Sequence, residues 1–155
     1  MINHYKLKDG DKILDVGCGK GFLLFEFQKL LPNSEVKGLD ISDYAIKNAK
    51  PEIKKNLVQG HANKLPFKKE YFDFVFSLNT LHNLYCFDLK AALREIERVG
   101  KKNKYICVES YRNEHERVNL LYWQVTCECF FTPDEWKWWF KESSYSGDYS
   151  FIYFE

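Results

Sequence analysis

The stretch Lys12–Leu24, KILDVGCGKGFLL, constrains this chain more than any other part of it. Ile13, Leu14 and Val16 form a short apolar run suited to a buried central strand. Gly17, Gly19 and Gly21 then end that run at alternate positions, and the apolar segment Phe22–Leu31 predicts a helix. Glycines admit positive φ and let a ligand approach the backbone closely. The N-terminus of the helix adds free N–H groups and the positive end of a dipole, which favour a carboxylate or phosphate. A strand–turn–helix of this composition is a place where a ligand docks against main chain.

The glycine spacing narrows the choice of ligand. The dinucleotide fingerprint Gly-x-Gly-x-x-Gly would need its third glycine at position 22, which is Phe22. No Gly-Lys-Ser/Thr follows, so the phosphate-cradling Walker pattern fails as well. No Tyr-x-x-x-Lys pair is present, which further disfavours a nicotinamide oxidoreductase.

Downstream segments supply four more expectations. Glu35–Leu39 reads as a second strand ending at Asp40, a position from which a carboxylate can accept both ribose hydroxyl protons of an adenosine. The competing reading makes Asp40 only a residue ahead of a helix, Asp43–Lys50, with Ser42 as its N-cap and Pro51 as its stop. Asn56–Gln59 predicts a third strand, followed by Gly60-His61-Ala62-Asn63-Lys64-Leu65-Pro66-Phe67. Tyr71–Ser77 is apolar apart from Asp73, as expected of a parallel strand buried on both faces, and it runs into Leu78-Asn79-Thr80-Leu81-His82.

The second half is plainer at first. Asp88–Val99 carries Leu89, Ala92, Leu93, Ile96 and Val99 on one face and predicts a packing helix ended by Gly100. A fifth strand, Lys104–Ser110, follows. Residues 111–131 resist assignment. Thr132-Pro133-Asp134-Glu135 is a helix start with a capping threonine, a first-turn proline and a glutamate three residues after the cap. Trp136, Trp139 and Phe140 share one face of that helix, and Tyr149–Phe154 predicts a last strand.

Composition excludes several classes. The chain has 155 residues, the size of one domain, so 1–155 is expected to fold as a single unit. Its 23 basic and 22 acidic side chains balance to +1, without the basic tract of a nucleic-acid-binding surface. Five cysteines without framework spacing suit a reducing cytosol, and Cys127 and Cys129 lie too close for a zinc knuckle, so no metal is expected. No apolar run reaches membrane-spanning length, and a soluble cytoplasmic domain with no membrane partner is expected.

The pattern Asp-x-Gly-x-Gly-x-Gly of Asp15–Gly21, with Asp40, the Gly60–Phe67 segment and Ser77–Asn79 after it, resembles the class I S-adenosylmethionine-dependent methyltransferases, in particular their small-molecule "type 11" branch. The resemblance spans about residues 10–110. It implies a Rossmann-like, doubly wound, mostly parallel α/β sheet with helices on both faces, here with six strands rather than seven and shortened at both ends. It also implies S-adenosyl-L-methionine as cofactor. Asp15, Gly17, Cys18, Gly19 and Gly21 would lie under the methionine part, Asp40 and Ile41 at the ribose, and His61 and Ala62 at the adenine. Ser77, Leu78 and Asn79 would pass beside the methyl group. Where the family has an aspartate holding the adenine amino group, this chain has His61, whose neutral ring can accept that hydrogen bond without the charge. Segment 79–82 is not Asn/Asp-Pro-Pro-Tyr, which disfavours methylation of DNA bases.

Methyl transfer needs a base only for a hydroxyl or protonated amine. His82, just past the fourth strand, is the first candidate, and its alternative is a helix-start residue bonded to backbone. His115, Glu109 and Tyr111 rank behind it. Tyr111, Tyr122, Trp123 and Phe130 are candidates to line a pocket for a small organic acceptor. Methyl transfer to oxygen or nitrogen of such an acceptor is the expected activity, with a non-catalytic cofactor-binding or protein-interaction module as the alternative. Oligomeric state is not legible.

Overall fold

The computed structural model describes residues 1–155. In chain order the elements are α1 (Ile2–Tyr5), β1 (Lys12–Val16), α2 (Phe22–Leu30), β2 (Glu35–Asp40), α3 (Asp43–Lys47), α4 (Pro51–Lys54) and β3 (Leu57–Gln59). There follow β4 (Phe72–Leu78), a 3-10 turn at Leu81–Asn83, α5 (Cys86–Val99), β5 (Gly100–Glu109), α6 (Glu114–Trp123), α7 (Pro133–Glu142) and β6 (Asp148–Ile152). The six strands form one sheet in the order β3-β2-β1-β4-β5-β6, and every neighbouring pair is parallel. The sheet is thus doubly wound and wholly rather than mostly parallel. Its strand order reverses between β1 and β4, and ligand crevices form above the carboxyl ends of strands at such a switch point.

Side-chain alternation along the strands builds two apolar layers. Ile13, Val36, Phe74 and Phe76 pack with Leu24 and Phe27 of α2 and Ile53 of α4 on one face. Leu14, Val16, Val75, Ile106 and Val108 pack with α5 and with Trp136 and Phe140 of α7 on the other. A register shift between Phe72 and Phe74 lets Phe72 join the second layer although its parity matches the first. Asp73, the one acid in this strand, accepts from the backbone of Lys12 at 2.9 Å and pairs with Lys101 at 2.7 Å.

Several local expectations are refined. Ser42 caps α3, accepting from Ala45 at 3.1 Å, but Pro51 opens α4 as its first residue instead of ending a helix that reaches it. Gly100 is extended and begins β5, which starts four residues before the expected Lys104; a side chain there would crowd Lys104 and Val75. Thr132 and Glu135 form the reciprocal capping box, with bonds of 3.4 and 2.7 Å. The short α1 and helix α6 carry no clear sequence signal, because α1 is a single turn and α6 has no consistent apolar face.

Trp136 ties α7 to the sheet. It is completely buried, and its indole N–H donates to the carbonyl of Glu109 at 3.0 Å. Trp136→Ala removes both the packing and the partner of that carbonyl, and should destabilise the fold by about 3–5 kcal/mol in urea unfolding. A loss below about 1 kcal/mol would show that α7 is not part of the cooperative core.

Candidate functional site

The glycine turn after β1 is fixed by the carboxyl end of β2. The amides of Gly17 and Cys18 both donate to the carbonyl of Leu39, at 2.7 and 3.1 Å. Gly19 donates to Asp40 Oδ2 at 2.7 Å, and Asp40 Oδ1 accepts from the amide of Ser42 at 2.8 Å. The Asp40 carboxylate therefore bridges the turn after β1 and the start of α3, and each of its oxygens keeps a further lone pair. Gly17, Gly19 and Gly21 all have positive φ, at 85°, 53° and 71°. Their surroundings differ. A Cβ on Gly17 would overlap the Thr80 side chain and one on Gly21 would press on Leu57, whereas a Cβ on Gly19 would meet nothing within 4 Å. The backbone at Gly19 is open on the side where a Cβ would stand.

Beside that turn lies a small cleft of about 60 Å³, walled by Gly17, Leu39–Ile41, Gly60–Ala62, Thr80 and Leu84. It sits at the carboxyl ends of β1, β2 and β3, next to the turn that leaves β4. Five of the expected cofactor residues (Gly17, Asp40, Ile41, His61 and Ala62) meet there. Ile41 is largely exposed at the rim. His61 Nδ1 accepts from the amide of Asn63 at 3.4 Å, which leaves Nε2 as the ring nitrogen without a partner in its own loop. A wider hollow between α1 and α2 is lined by Met1, Leu23, Phe27 and Leu30 and lies away from these strand ends.

The other expected residues serve the same corner from beneath or beside it. Cys18 is buried, and burial together with the charges of Asp15 and Asp40 holds its thiol far above the ordinary range. Ser77 is buried and donates to the carbonyl of Val16 at 2.7 Å, which clamps β4 to β1. Leu78 packs partly into the first layer, and Asn79 is exposed with φ 51°. Thr80 belongs to the segment read after the fourth strand, one residue beyond the expected site residues. Its hydroxyl donates to Leu78 O at 3.0 Å, and it reaches the cleft only because β4 lies beside β1.

His82 occupies a different setting from an open cleft wall. It is fully buried, with Nε2 3.6 Å from Oε2 of Glu109 and 3.3 Å from Nε2 of Gln124. Its carbonyl accepts from Glu128 and Cys129, both at 2.9 Å. Burial pushes the imidazole down to about 4 and also raises the Glu109 carboxyl, which a hydrogen bond from Gln124 partly offsets. The ring is therefore neutral at pH 7. Among the second-rank candidates, Glu109 joins this cluster, while His115 is exposed on α6. Tyr122 and Trp123 project outward from α6, with Trp123 against Phe154, so the acceptor pocket expected from them is not formed there.

Residues 7–144 match the family described as a methyltransferase domain. The chain belongs to that family. A demethylmenaquinone methyltransferase of Bacillus cytotoxicus is 36% identical over 135 residues, covering 80% of this chain and 56% of the relative. The solved SAM-dependent methyltransferase of Aquifex aeolicus is 29% identical with a TM-score of 0.55, covering 65% of this chain and 56% of that one. The YcgJ protein of Bacillus subtilis superposes over 92% of this chain and 65% of its own with a TM-score of 0.73, and at 23% identity it speaks for the fold. Other matched relatives are longer too: the chain spans 48% of a methyltransferase from Schizosaccharomyces pombe. The methyltransferase domain here takes S-adenosylmethionine as its cofactor. No helix is long and apolar enough to cross a membrane.

The residues present fit that cofactor in the bare backbone at Gly19, the anchored Asp40 carboxylate and the cleft that adjoins both. Asp15 completes the corner. It is 5% exposed, and burial, then the negative charge of Asp40, pushes its carboxyl up to about 8. The unfolded value is about 3.9. The folded chain thus holds a proton that the unfolded chain releases, and stability falls as pH rises from about 4 through about 8. Asp15→Asn removes that dependence. Between pH 5 and pH 8 the melting temperature of the variant should rise relative to wild type; a pH-independent difference would mean Asp15 is ionised in the folded chain.

Proposed function

We propose that this protein transfers the methyl group of S-adenosylmethionine to an oxygen or nitrogen of a small organic acceptor. The observation that carries the reading is the Asp40 carboxylate, fixed by Gly19 and Ser42 beside the open glycine backbone and the cleft. Held this way, its spare lone pairs can accept the two ribose hydroxyls without any rearrangement. His61 Nε2–H would donate to a ring nitrogen of the adenine, and the Ala62 amide would lie beside the same ring. Asp15 would face the cationic methionine end, whose charge stabilises the carboxylate that burial disfavours. Gly17, Cys18, Gly19 and Gly21 shape the turn beneath it, and Ser77, Leu78 and Asn79 form its border toward β4.

Bound there, the cofactor supplies a methyl group already activated by its sulfonium charge. The protein's share is alignment for in-line attack and removal of the acceptor's proton. His82 would take the acceptor's proton, with the Glu109 carboxyl 3.6 Å away to stabilise the imidazolium that results. A relative from Legionella pneumophila, 33% identical over 96 residues, is named an O-methyltransferase, which supports an oxygen acceptor.

Calorimetry with S-adenosylhomocysteine tests the cofactor site. Asp40→Ala should weaken binding by about 10- to 100-fold, the loss of charge-assisted hydrogen bonds. Gly19→Asn should weaken it at least as much while changing stability little, because asparagine tolerates the left-handed backbone and the space above it is open. Wild-type affinity in both folded variants would refute the site. For the chemistry, His82→Asn should keep cofactor affinity within a few-fold and lower turnover by about 10²–10⁴ against an acceptor found with labelled cofactor. An unaffected rate would remove His82 from the mechanism.

A further inference from the structure

Thr80 stands where a threonine ordinarily caps the turn that follows it, and its hydroxyl does something else. It holds the N-cap position of the 3-10 turn Leu81–Asn83, with φ −123° and ψ −49°, yet its side chain makes no capping bond. A threonine there usually accepts from an amide of the turn. Asn79 before it takes a left-handed φ of 51°, and the Thr80 side chain lies instead against the glycine turn after β1. The contact is close. A Cβ on Gly17 would stand 2.1 Å from Thr80 Oγ1 and 2.3 Å from its Cγ2, so only glycine admits Thr80 in this place. Gly17 and Thr80 are both walls of the cleft.

The hydroxyl has one proton and two lone pairs. The proton goes to Leu78 O at 3.0 Å, while Gly17 O lies farther off, at 3.4 Å, beyond the usual reach of an O–H···O bond. The Gly17 carbonyl has no nearer donor in the protein. Two acceptor oxygens with spare capacity, Thr80 Oγ1 and Gly17 O, thus stand side by side on this wall.

The order of the strands says which part of the cofactor meets them. Along the sheet the order is β3-β2-β1-β4. His61 and Ala62 follow β3, Asp40 ends β2, Gly17 follows β1 and Thr80 follows β4. A nucleoside with its base at His61 and its ribose at Asp40 continues from the ribose over β1 toward β4, and its continuation is the methionine part. Of the two polar ends of that part, the ammonium carries N–H donors and the carboxylate carries none.

We propose that Thr80 is a further cofactor-binding residue: Thr80 Oγ1 and the Gly17 carbonyl together receive the methionine ammonium. This rests on the reading of the cleft as the S-adenosylmethionine site. The Thr80 hydroxyl keeps its bond to Leu78 O and accepts on a lone pair, so the ammonium is received without rearrangement of the turn.

Calorimetry with two nucleosides decides it. S-adenosylhomocysteine carries the ammonium. Its desamino analogue, with 4-thiobutanoate in place of homocysteine, keeps the adenosine, the thioether and the carboxylate. Wild type should bind S-adenosylhomocysteine at least ten-fold more tightly than the analogue. Thr80→Val puts a methyl where the hydroxyl was, and should weaken S-adenosylhomocysteine by about ten-fold while leaving the analogue within about two-fold. Thr80→Ser keeps the hydroxyl and should stay within about three-fold of wild type for both. Equal wild-type affinity for the two ligands, equal losses for both in Thr80→Val, or a loss in Thr80→Ser as large as in Thr80→Val would each overturn the assignment. If Thr80→Val does not fold, Thr80→Ala set against Thr80→Ser makes the same comparison. Wild type that binds neither nucleoside refutes the cleft as cofactor site and Thr80 with it. The Thr80 assignment fails alone when Asp40→Ala weakens both nucleosides and Thr80→Val weakens neither.

Discussion

The Asp40 carboxylate is the contact on which the rest of this site depends. It takes one N–H from the turn after β1 and one from the start of α3, so a single side chain fixes two loops that are 21 and two residues away from it in sequence. The backbone of Leu39 does the same work one residue earlier, accepting from Gly17 and Cys18. These bonds let three successive alternate glycines keep left-handed conformations without help from a ligand. The turn is thus preorganised, and its bare position at Gly19 stays open because nothing in the protein needs to fill it.

Around that anchor the protein collects ionisable groups in places that disfavour their charges. Asp15, Glu109 and His82 are all buried near the carboxyl ends of β1, β4 and β5, and burial is the leading cause of each shift. Structural ion pairs look different here. Glu95 with Arg98 and Asp73 with Lys101 are partly exposed, directly paired and shifted toward their charged forms. Burial disfavours the charged form of each of these three groups, and His82 and Glu109 face each other at 3.6 Å. That contrast separates the functional corner from the many surface pairs of the same residue types.

The two faces of the sheet divide this labour. The layer under α2 and α4 is almost entirely apolar and positions the glycine turn from below, with Leu57 and Ile53 against Gly21. The layer under α5 and α7 admits the His82–Glu109–Gln124 cluster at its upper end, where Trp136 bonds to the Glu109 carbonyl. Packing on this second face therefore couples directly to the orientation of a polar group at the site.

The sequence alone determined those parts that depend on local chemistry. Glycine spacing after an apolar run, a strand-ending Asp40, the Ser42 and Thr132 caps and the 3.6-residue repeat of α5 each act within a few residues, so they can be read without a partner. Strand alternation with helices likewise forced a doubly wound sheet, because two-face burial leaves few other arrangements. Tertiary structure alone decided what depends on neighbours distant along the chain. Thr80 lines the cleft because β4 lies beside β1, a pairing that brings it to Gly17 across 63 residues of sequence. His82 is closed off rather than exposed because residues 124–129 return over it from the far end of α6. Gln124 meets Glu109 across 15 residues of irregular chain and helix. Such meetings are fixed by packing of whole elements, and a single sequence carries no periodic or spacing signal for them.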